Sequence, residues 1–379
     1  MRGVFRGRST KHLLRPHQWI LAPVNSHAEQ ITGSEAFVID DLAEGQEGVW
    51  DAFVDTHPRG SLYHRTIWRQ LIADVFGHET RYICARRPDA GIVGVLPLVR
   101  LRSRLFGDFL VSMPYFNYGG AIATSPEIEE ALMKRACALA GNFGCRHVEF
   151  RDAEPRNGSW PLRTDKLLME LPLPRSDDAL WSSLNSKVRT QIRYTAKAQP
   201  QVIFGGEDLL PDFYHVLSRN MRDLGTPVYS YDFFQAILAR VPGSASIAVV
   251  KLQDQPAAAA FLIGYRDRLE VPWGASLREF NRFKVYTYFT WEILKHAIAR
   301  RCAVYDFGRS TAGSGPHEFK KKWGVKERQL YWHYWLQEGR DLPQLNPDNP
   351  KYRLAIKVWQ RLPVWLANRL GPPIVQNLP

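Results

Sequence analysis

Cysteine is scarce in this chain. Cys84, Cys137, Cys145 and Cys302 are scattered through 379 residues, sit in apolar segments and form no CxxC pair. That usage argues against a disulfide framework or a zinc cluster and fits buried thiols in a reducing compartment, so no metal is expected. Long apolar runs are missing at the N terminus too. The longest there, Trp19 to Val24, is short and broken by Pro23, which is convincing neither as a signal peptide nor as a spanning helix. A cytoplasmic protein is the expectation. Residues 1–33 mix Arg, His, Pro and Ser without periodicity and read as a disordered leader or a misassigned start. No aromatic RNP motif and no GxxG clamp occurs at a fitting position, which sets an RNA-recognition module aside.

What is present is a globular composition, 45% hydrophobic and 12% aromatic, with a net charge of +12. The length suffices for two packed units, and the charge points to a polyanionic partner: nucleic acid, a phosphorylated substrate or an anionic lipid surface. The order of elements repeats. In the first half a helical pattern around Leu62 to Phe76 precedes the strands Tyr82–Arg86, Ile92–Leu101 and Asp108–Ser112, a helix from Ile128 to Asn142 and the strand His147–Phe150. In the second half a helix Tyr231–Arg240 precedes the strands Ser246–Leu252, Ala258–Tyr265 and Leu269–Trp273, a helix Phe283–Ala299 and the strand Val304–Phe307. Each half therefore predicts a mostly antiparallel α/β (α+β) sheet with a helical crossover before its last strand. Between the halves, Leu180, Leu184, Val188 and Ile192 recur every fourth residue on one predicted helix, with Arg189, Arg193 and Lys197 on another face. A second helix begins near Glu207 and ends at Gly225-Thr226-Pro227.

The richest stretch for chemistry is VYDFGRSTAGSGPHEFKKKWG, Val304 to Gly324. A strand runs into a loop in which Gly308, Gly313 and Gly315 permit close backbone approach, Arg309 and Lys320 to Lys322 offer positive charge, and Ser310 and Thr311 offer hydrogen bonds. Phe319 and Trp323 bracket the lysines. A mobile solvated connection is the plain alternative.

SLNSKVRTQIRYTAKA, RNMRDLGTPVYS and DFGRSTAGSGPHEFKKKWG, in that order, resemble the FemAB-type branch of the acyltransferase superfamily, closest to members associated with exosortase and PEP-CTERM exopolysaccharide systems. The resemblance covers roughly Glu35 to the C terminus. It implies a tandem pair of GNAT-like acyltransferase domains, at 34–175 and 229–338, with a helical linker pair at 176–228 and an amphipathic tail at 339–379. It implies transfer of an aminoacyl or acyl group to an amine or hydroxyl on a cell-envelope polysaccharide or peptide precursor. In peptidoglycan-bridge relatives the donor is an aminoacyl-tRNA and the acceptor a nucleotide-linked or lipid-linked muropeptide. No permanently bound cofactor is implied, and the donor is an aminoacyl-tRNA or an acyl thioester. The Phe319-Lys320 pair matches the Phe-Lys pair that those enzymes place at the reacting centre.

The glycine-rich pyrophosphate turn of acyl-coenzyme A enzymes is absent: its positions read Tyr118-Gly119-Gly120-Ala121 and Arg278-Glu279-Phe280-Asn281-Arg282. Acyl transfer builds charge on a carbonyl oxygen and needs a proton removed. Lys320 and then Arg309 are the candidate cations, and Asp306 the candidate carboxylate. Candidate substrate contacts are Phe319, Ser310 and Trp323 in the same stretch, Asn220, Arg222 and Tyr229 near the Gly-Thr-Pro turn, Asn117 and Tyr118 in the first unit, and Lys187, Arg189 and Arg193 on the linker helix. Alternatives are a non-catalytic module that holds lipid-linked sugar precursors and an acyl-coenzyme A-dependent N-acyltransferase.

No acidic residue follows Asp348. From Lys351 to Leu370, Arg353, Lys357 and Arg361 share one helix face while Leu354, Val358, Trp359, Leu362, Trp365 and Leu366 supply apolar surface, with a kink at Pro363. Packing on the second unit is one expectation; docking at the inner face of the cell membrane is the other.

Overall fold

Two mixed sheets form the framework of a computed structural model that describes residues 36–343 and 350–378. The expected leader at 1–33 lies outside the described residues.

In the first sheet β1 (Val38–Asp41), β2 (Glu79–Arg87), β3 (Gly91–Ser103), β4 (Gly107–Val111) and β6 (His147–Asp152) follow one another across the sheet, with β5 (Ile122–Ala123) beside β3. Residues Ile92 to Val99 of β3 are buried without a break because the strand is covered on both faces. Trp50 and Val54 of α1 (Glu47–Thr56) pack on one side, and Ile128, Leu132 and Met133 of α3 (Pro126–Phe143) on the other. The pattern read as one helix around Leu62 is a 3₁₀ turn, Leu62–His64, followed by α2 (Ile67–Phe76).

The second sheet repeats the plan. β10 (Ala245–Leu252) and β11 (Gln255–Tyr265) form a hairpin closed by Gln253 and Asp254, whose φ values of 52° and 61° mark a two-residue turn of the mirror-image type that suits twisted strands. β12 (Arg268–Ser276), α8 (Val285–Ala299) and β13 (Val304–Thr311) complete the crossover. In each sheet a single pair is parallel, β4 with β6 and β12 with β13.

The two halves of the chain exchange strands. β8 (Lys166–Pro172) leaves the first unit and pairs with β13 and with β14 (Lys326–Gln329). β15 (Tyr331–Leu336) returns from the second unit and pairs with β6 and β7 (Leu162–Arg163). The chain between them is more than a linker. The single helix expected from Asp177 is α4 (Asp177–Ser183) and α5 (Ser186–Ala196), broken where the Asn185 side chain caps α5 by accepting from Val188 N at 2.9 Å. An unforeseen strand, β9 (Gln201–Gly205), edges the second sheet, and α6 (Leu210–Leu224) packs on β11 and β12 before α7 (Tyr231–Arg240).

The stretch after β13 also differs from the expected loop. Ser314 caps a short helix, α9 (Gly315–Lys321), so Lys320 and Lys321 stand on a helix and Lys322 caps its end. The tail forms α10 (Pro350–Trp359) and α11 (Val364–Val375), separated near Pro363, and both rest against α6.

Gly94 of β3 tests how tightly α3 seats. A Cβ there would come within 2.7 Å of Ala123 Cβ and 2.8 Å of Ile128 Cγ2. Gly94→Ala should cost about 1–3 kcal/mol through overpacking. Urea unfolding should show a lower midpoint at unchanged slope.

Candidate active site

Strands β12 and β13 stay paired for only three residues, ending at Glu270↔Asp306. On its other side Asp306 stands opposite Glu170 of β8. Residues at one register of neighbouring strands point to the same face, so three carboxyl groups lie in a row across the sheet. Like charges so placed repel, and Asp306 is fully buried while Glu270 is 5% exposed. The surroundings respond. Arg268 bridges the row, donating to Glu170 and, at 3.4 Å, to Asp306 Oδ2. Gly308 N donates to Asp306 Oδ1 at 2.7 Å across a bulge in β13, and Tyr118 Oη donates to Oδ2 at 3.2 Å. Asn117 Nδ2 donates to Glu270 Oε1 at 2.8 Å, and Tyr63 Oη donates to Oε2.

Burial, aided by the Asp306 charge, pushes the Glu270 carboxyl up to about 8. Burial also raises Asp306, against the opposing pull of Arg268. Lys320 approaches the bulge from α9 and donates to the carbonyls of Gly308 at 3.2 Å and Arg309 at 2.9 Å. Burial brings its ammonium down to about 8, although the two carboxyls favour its charge. Arg309 turns toward the first unit. It donates to Phe116 O at 3.2 Å and lies 5.0 Å from the Trp332 ring centre, with Arg151 at 4.6 Å from the same ring. Burial, together with Arg151, lowers Arg309 to about 10.

Above the row lies a cavity of about 360 Å³ between the two units. Tyr63, Tyr118, Glu270 and Arg268 line it, as do Arg59, Arg156, Arg266 and Arg328. Arg266 donates to the Val54, Asp55 and His57 carbonyls rather than to a carboxylate. A second cavity of about 460 Å³ adjoins the first, sharing Pro58, Arg59, Glu154 and Arg156, and extends to Trp160 and the start of α3.

The sequence candidates fall into three groups. Asp306, Lys320, Arg309, Asn117 and Tyr118 meet around Gly308, whose φ of 71° favours glycine and whose missing Cβ leaves room for Asn117. Ser310 is buried beside them; the Phe319 ring lies 5.3 Å from Tyr286, tilted against it, and Trp323 is buried near Phe307. Lys187 and Arg193 are exposed on α5, Arg193 lying over Trp181, while Arg189 reaches the Trp181 and Ser182 carbonyls. Asn220, Arg222 and Tyr229 lie apart from the cavity's lining. Asn220 donates to Ser276 O, Arg222 to Leu362 O at 2.7 Å, and Tyr229 belongs to an aromatic cluster with Tyr115, Phe233 and Trp273.

Sequence reasoning missed Glu270, Glu170, Arg268 and Tyr63. The signal for the two glutamates was a single acidic residue inside an apolar strand, MEL at Glu170 and LEV at Glu270, matching YDF at Asp306.

The raised Glu270 carboxyl has a stability signature. The folded protein holds this proton more tightly than the unfolded chain, so its contribution is present at low pH and is lost as pH rises toward about 8. Glutamine mimics the protonated acid. Glu270→Gln should therefore become progressively more stable than the parent between about pH 4.5 and 8, with the gap level above that, in urea titrations at stepped pH. A gap independent of pH would contradict the assignment.

Residues 182–321 match the family described as Acetyltransferase (GNAT) domain. No curated protein matches the sequence significantly. Among solved structures, FemX superposes with a TM-score of 0.59 at 16% identity, covering 84% of this chain and 100% of that one. L-PGS from Bacillus licheniformis gives 0.53 at 13%, covering 83% and 97%. A tandem GNAT protein from the clavulanic acid biosynthesis pathway gives 0.51 at 12%, covering 80% and 100%. The chain thus has a tandem GNAT-like fold of FemX type, and the carboxyl row and Lys320 lie at the seam between its two units.

Proposed function

We propose that this protein is a FemAB-like acyl or aminoacyl transferase whose reaction takes place where the two units meet. The observation that carries this reading is the Glu270–Asp306 carboxyl pair, buried with a raised proton affinity, of which Glu270 lines an arginine-rich cavity and Asp306 lies beneath it. A structural ion pair would have its charges matched at the contact. Here two carboxyls accept hydrogen bonds from both units, and a lysine of lowered basicity donates to the backbone carbonyls beside them.

In the proposed step an amine or hydroxyl of the acceptor attacks the donor's acyl carbonyl carbon. A new C–N or C–O bond forms, and the bond from that carbon to the donor's oxygen or sulfur breaks. The acceptor's proton passes to the ionised form of Glu270, whose share grows as pH approaches about 8 and which Tyr63 and Asn117 orient, and then to the departing oxygen or sulfur. Asp306 holds its neighbour's proton affinity high, and Lys320 supplies positive charge close to the pair and fixes the bulge that carries Gly308.

The arginines around the cavity suit the phosphates of a nucleotide-linked or lipid-linked saccharide or peptide precursor. The two adjoining cavities give room for an extended acceptor. This supports a cell-envelope precursor as substrate, and the sequence resemblance extends that to exopolysaccharide and exosortase pathways. For the donor, an aminoacyl ester such as aminoacyl-tRNA ranks above acyl-coenzyme A. The Gly119 and Gly120 amides both donate to Arg151 O, and the Phe280 amide to Leu277 O, so these turn amides already have partners.

Mass analysis of envelope polysaccharide and lipid-linked precursors from cells with and without the protein tests the reading. An aminoacyl or acyl mass should vanish on deletion and return with the parent gene. With Lys320→Met or Glu270→Gln the transfer rate should fall by about 10²–10³-fold. Full restoration by both variants would refute the site, and unchanged masses with altered precursor abundance would indicate a binding module. In calorimetry, acetyl-coenzyme A should give no tight, stoichiometric binding; such binding would reverse the ranking of donors.

A further inference from the structure

The C-terminal helices present two faces of different chemistry. The inner face is fixed to the protein. Arg222 donates to Leu362 O at 2.7 Å, and Gln376 O accepts from Tyr115 Oη at 2.7 Å and bonds His78 Nε2 at 2.8 Å. Ile356 packs on Gly225, and Gly371 lies against the Val228 backbone, where an added Cβ would come within 3.0 Å. Ala367, Gly371 and Val375 are buried along α11.

The outer face is apolar and exposed. Leu354 is 65% exposed, Val358 55%, Trp365 67% and Leu370 44%. These are four of the ten large hydrophobic side chains that stand exposed among the described residues, and a fifth, Leu224, immediately precedes Gly225 where α10 packs. Leu354 and Val358 share one side of α10 at a spacing of four. A packed helix of a monomer turns such residues inward, and clustering of exposed large hydrophobics marks an interaction surface. Arg353, Lys357, Arg361 and Arg369 are exposed around them, and no acidic residue follows Asp348. Among the described residues no helix is long and apolar enough to cross a membrane.

We infer that this face docks on an anionic lipid bilayer. Apolar side chains flanked by exposed arginine and lysine, with no acidic residue nearby in sequence, complement the headgroup boundary of a negatively charged membrane. α10 and α11 lie along that surface, with Trp365 and Leu370 entering the acyl boundary and the basic side chains meeting the lipid phosphates. Because the inner face is already bonded to α6 and to the Tyr115 loop, docking holds the whole molecule at the membrane. Tyr115 is two residues from Asn117, which bonds Glu270, so the docked helices and the carboxyl row share a loop.

Sedimentation of the full chain with vesicles tests this inference without reference to any catalytic reading. Vesicles of equimolar phosphatidylglycerol and phosphatidylcholine should carry the protein down, phosphatidylcholine alone should carry little, and added salt should release it. Leu354→Ser, Val358→Ser, Trp365→Ser and Leu370→Ser together should weaken partition by about tenfold or more with the thermal midpoint unchanged, because these side chains are solvated in the free protein. Arg353→Gln with Lys357→Gln and Arg361→Gln should weaken it only on the anionic vesicles. Partition of the serine variant equal to the parent's would overturn the inference, as would equal binding to neutral vesicles. Retention of both variants on RNA at the parent's affinity, with no vesicle binding by any form, would assign the positive charge to a nucleic acid instead.

Discussion

Three carboxyl groups at one register of three adjacent strands are the constraint on which the second half of this molecule depends. Glu170, Asp306 and Glu270 occupy neighbouring positions across β8, β13 and β12. Burying an unpaired carboxylate costs several kcal/mol, and a second one beside it adds repulsion. The protein meets that cost with a proton held on the pair and with donors from three directions: Arg268 along the row, Gly308 N from the bulge, and Tyr63, Asn117 and Tyr118 from the first unit. The seam between the units is therefore built around the carboxyl groups as much as around apolar contact. Loosening either unit would expose an acid pair to water and change its protonation, which couples domain packing to the chemistry of the site.

The internal repeat supplies a control. In the first unit Glu149 of β6 stands where Asp306 stands in β13, again beside the single parallel strand pair. Its neighbours are Val111 and Tyr334 rather than acids. Arg151 donates to Glu149 at 2.7 Å and Tyr334 Oη at 2.8 Å, and although burial opposes it, Arg151 holds this carboxyl below its ordinary value. The two units thus use one scaffold position in opposite ways. One carboxylate is matched at 2.7 Å by a buried guanidinium and stays charged as a structural element, while the other has only Arg268 at 3.4 Å, shared with Glu170, because Arg309 turns across the bulge to Phe116 and Trp332. Matched charge holds a fold together, and unmatched charge is available for proton transfer.

Much of the fold was legible in the sequence because its signals are local. The two hairpins, their crossover helices and the repeat of their order followed from apolar runs and turn residues such as Gln253-Asp254. That Asp306, Lys320 and Arg309 lie close together was legible because they share one short stretch. What was not legible depends on register. Nothing in MEL, LEV and YDF, spread over more than a hundred residues, says that the three acids line up; strand order and the bulge at Gly308 decide that. The strand exchange was hidden for the same reason, since β8 and β15 are short apolar segments that pair with whichever edge the tertiary structure offers. Arg222 and Tyr229 looked like ligand contacts beside a turn, yet the turn faces α10 and α11 and the two side chains serve packing. Pattern alone did not distinguish a basic residue that meets substrate from one that caps a carbonyl.

The exchange of β8 and β15 has a further physical consequence. Each sheet is completed by a strand from the other half of the chain, so neither half can close its sheet alone, and the backbone hydrogen bonds left open would be exposed along an edge. Glu170 reaches the carboxyl row only through this exchange, and so does Trp332, which lies against both Arg151 and Arg309. Folding of the two units is thereby tied to assembly of the site. An arrangement of two independent domains joined by a linker would leave Asp306 with water on one side and an ordinary acidity. The swapped strands seal it in and keep its proton affinity high.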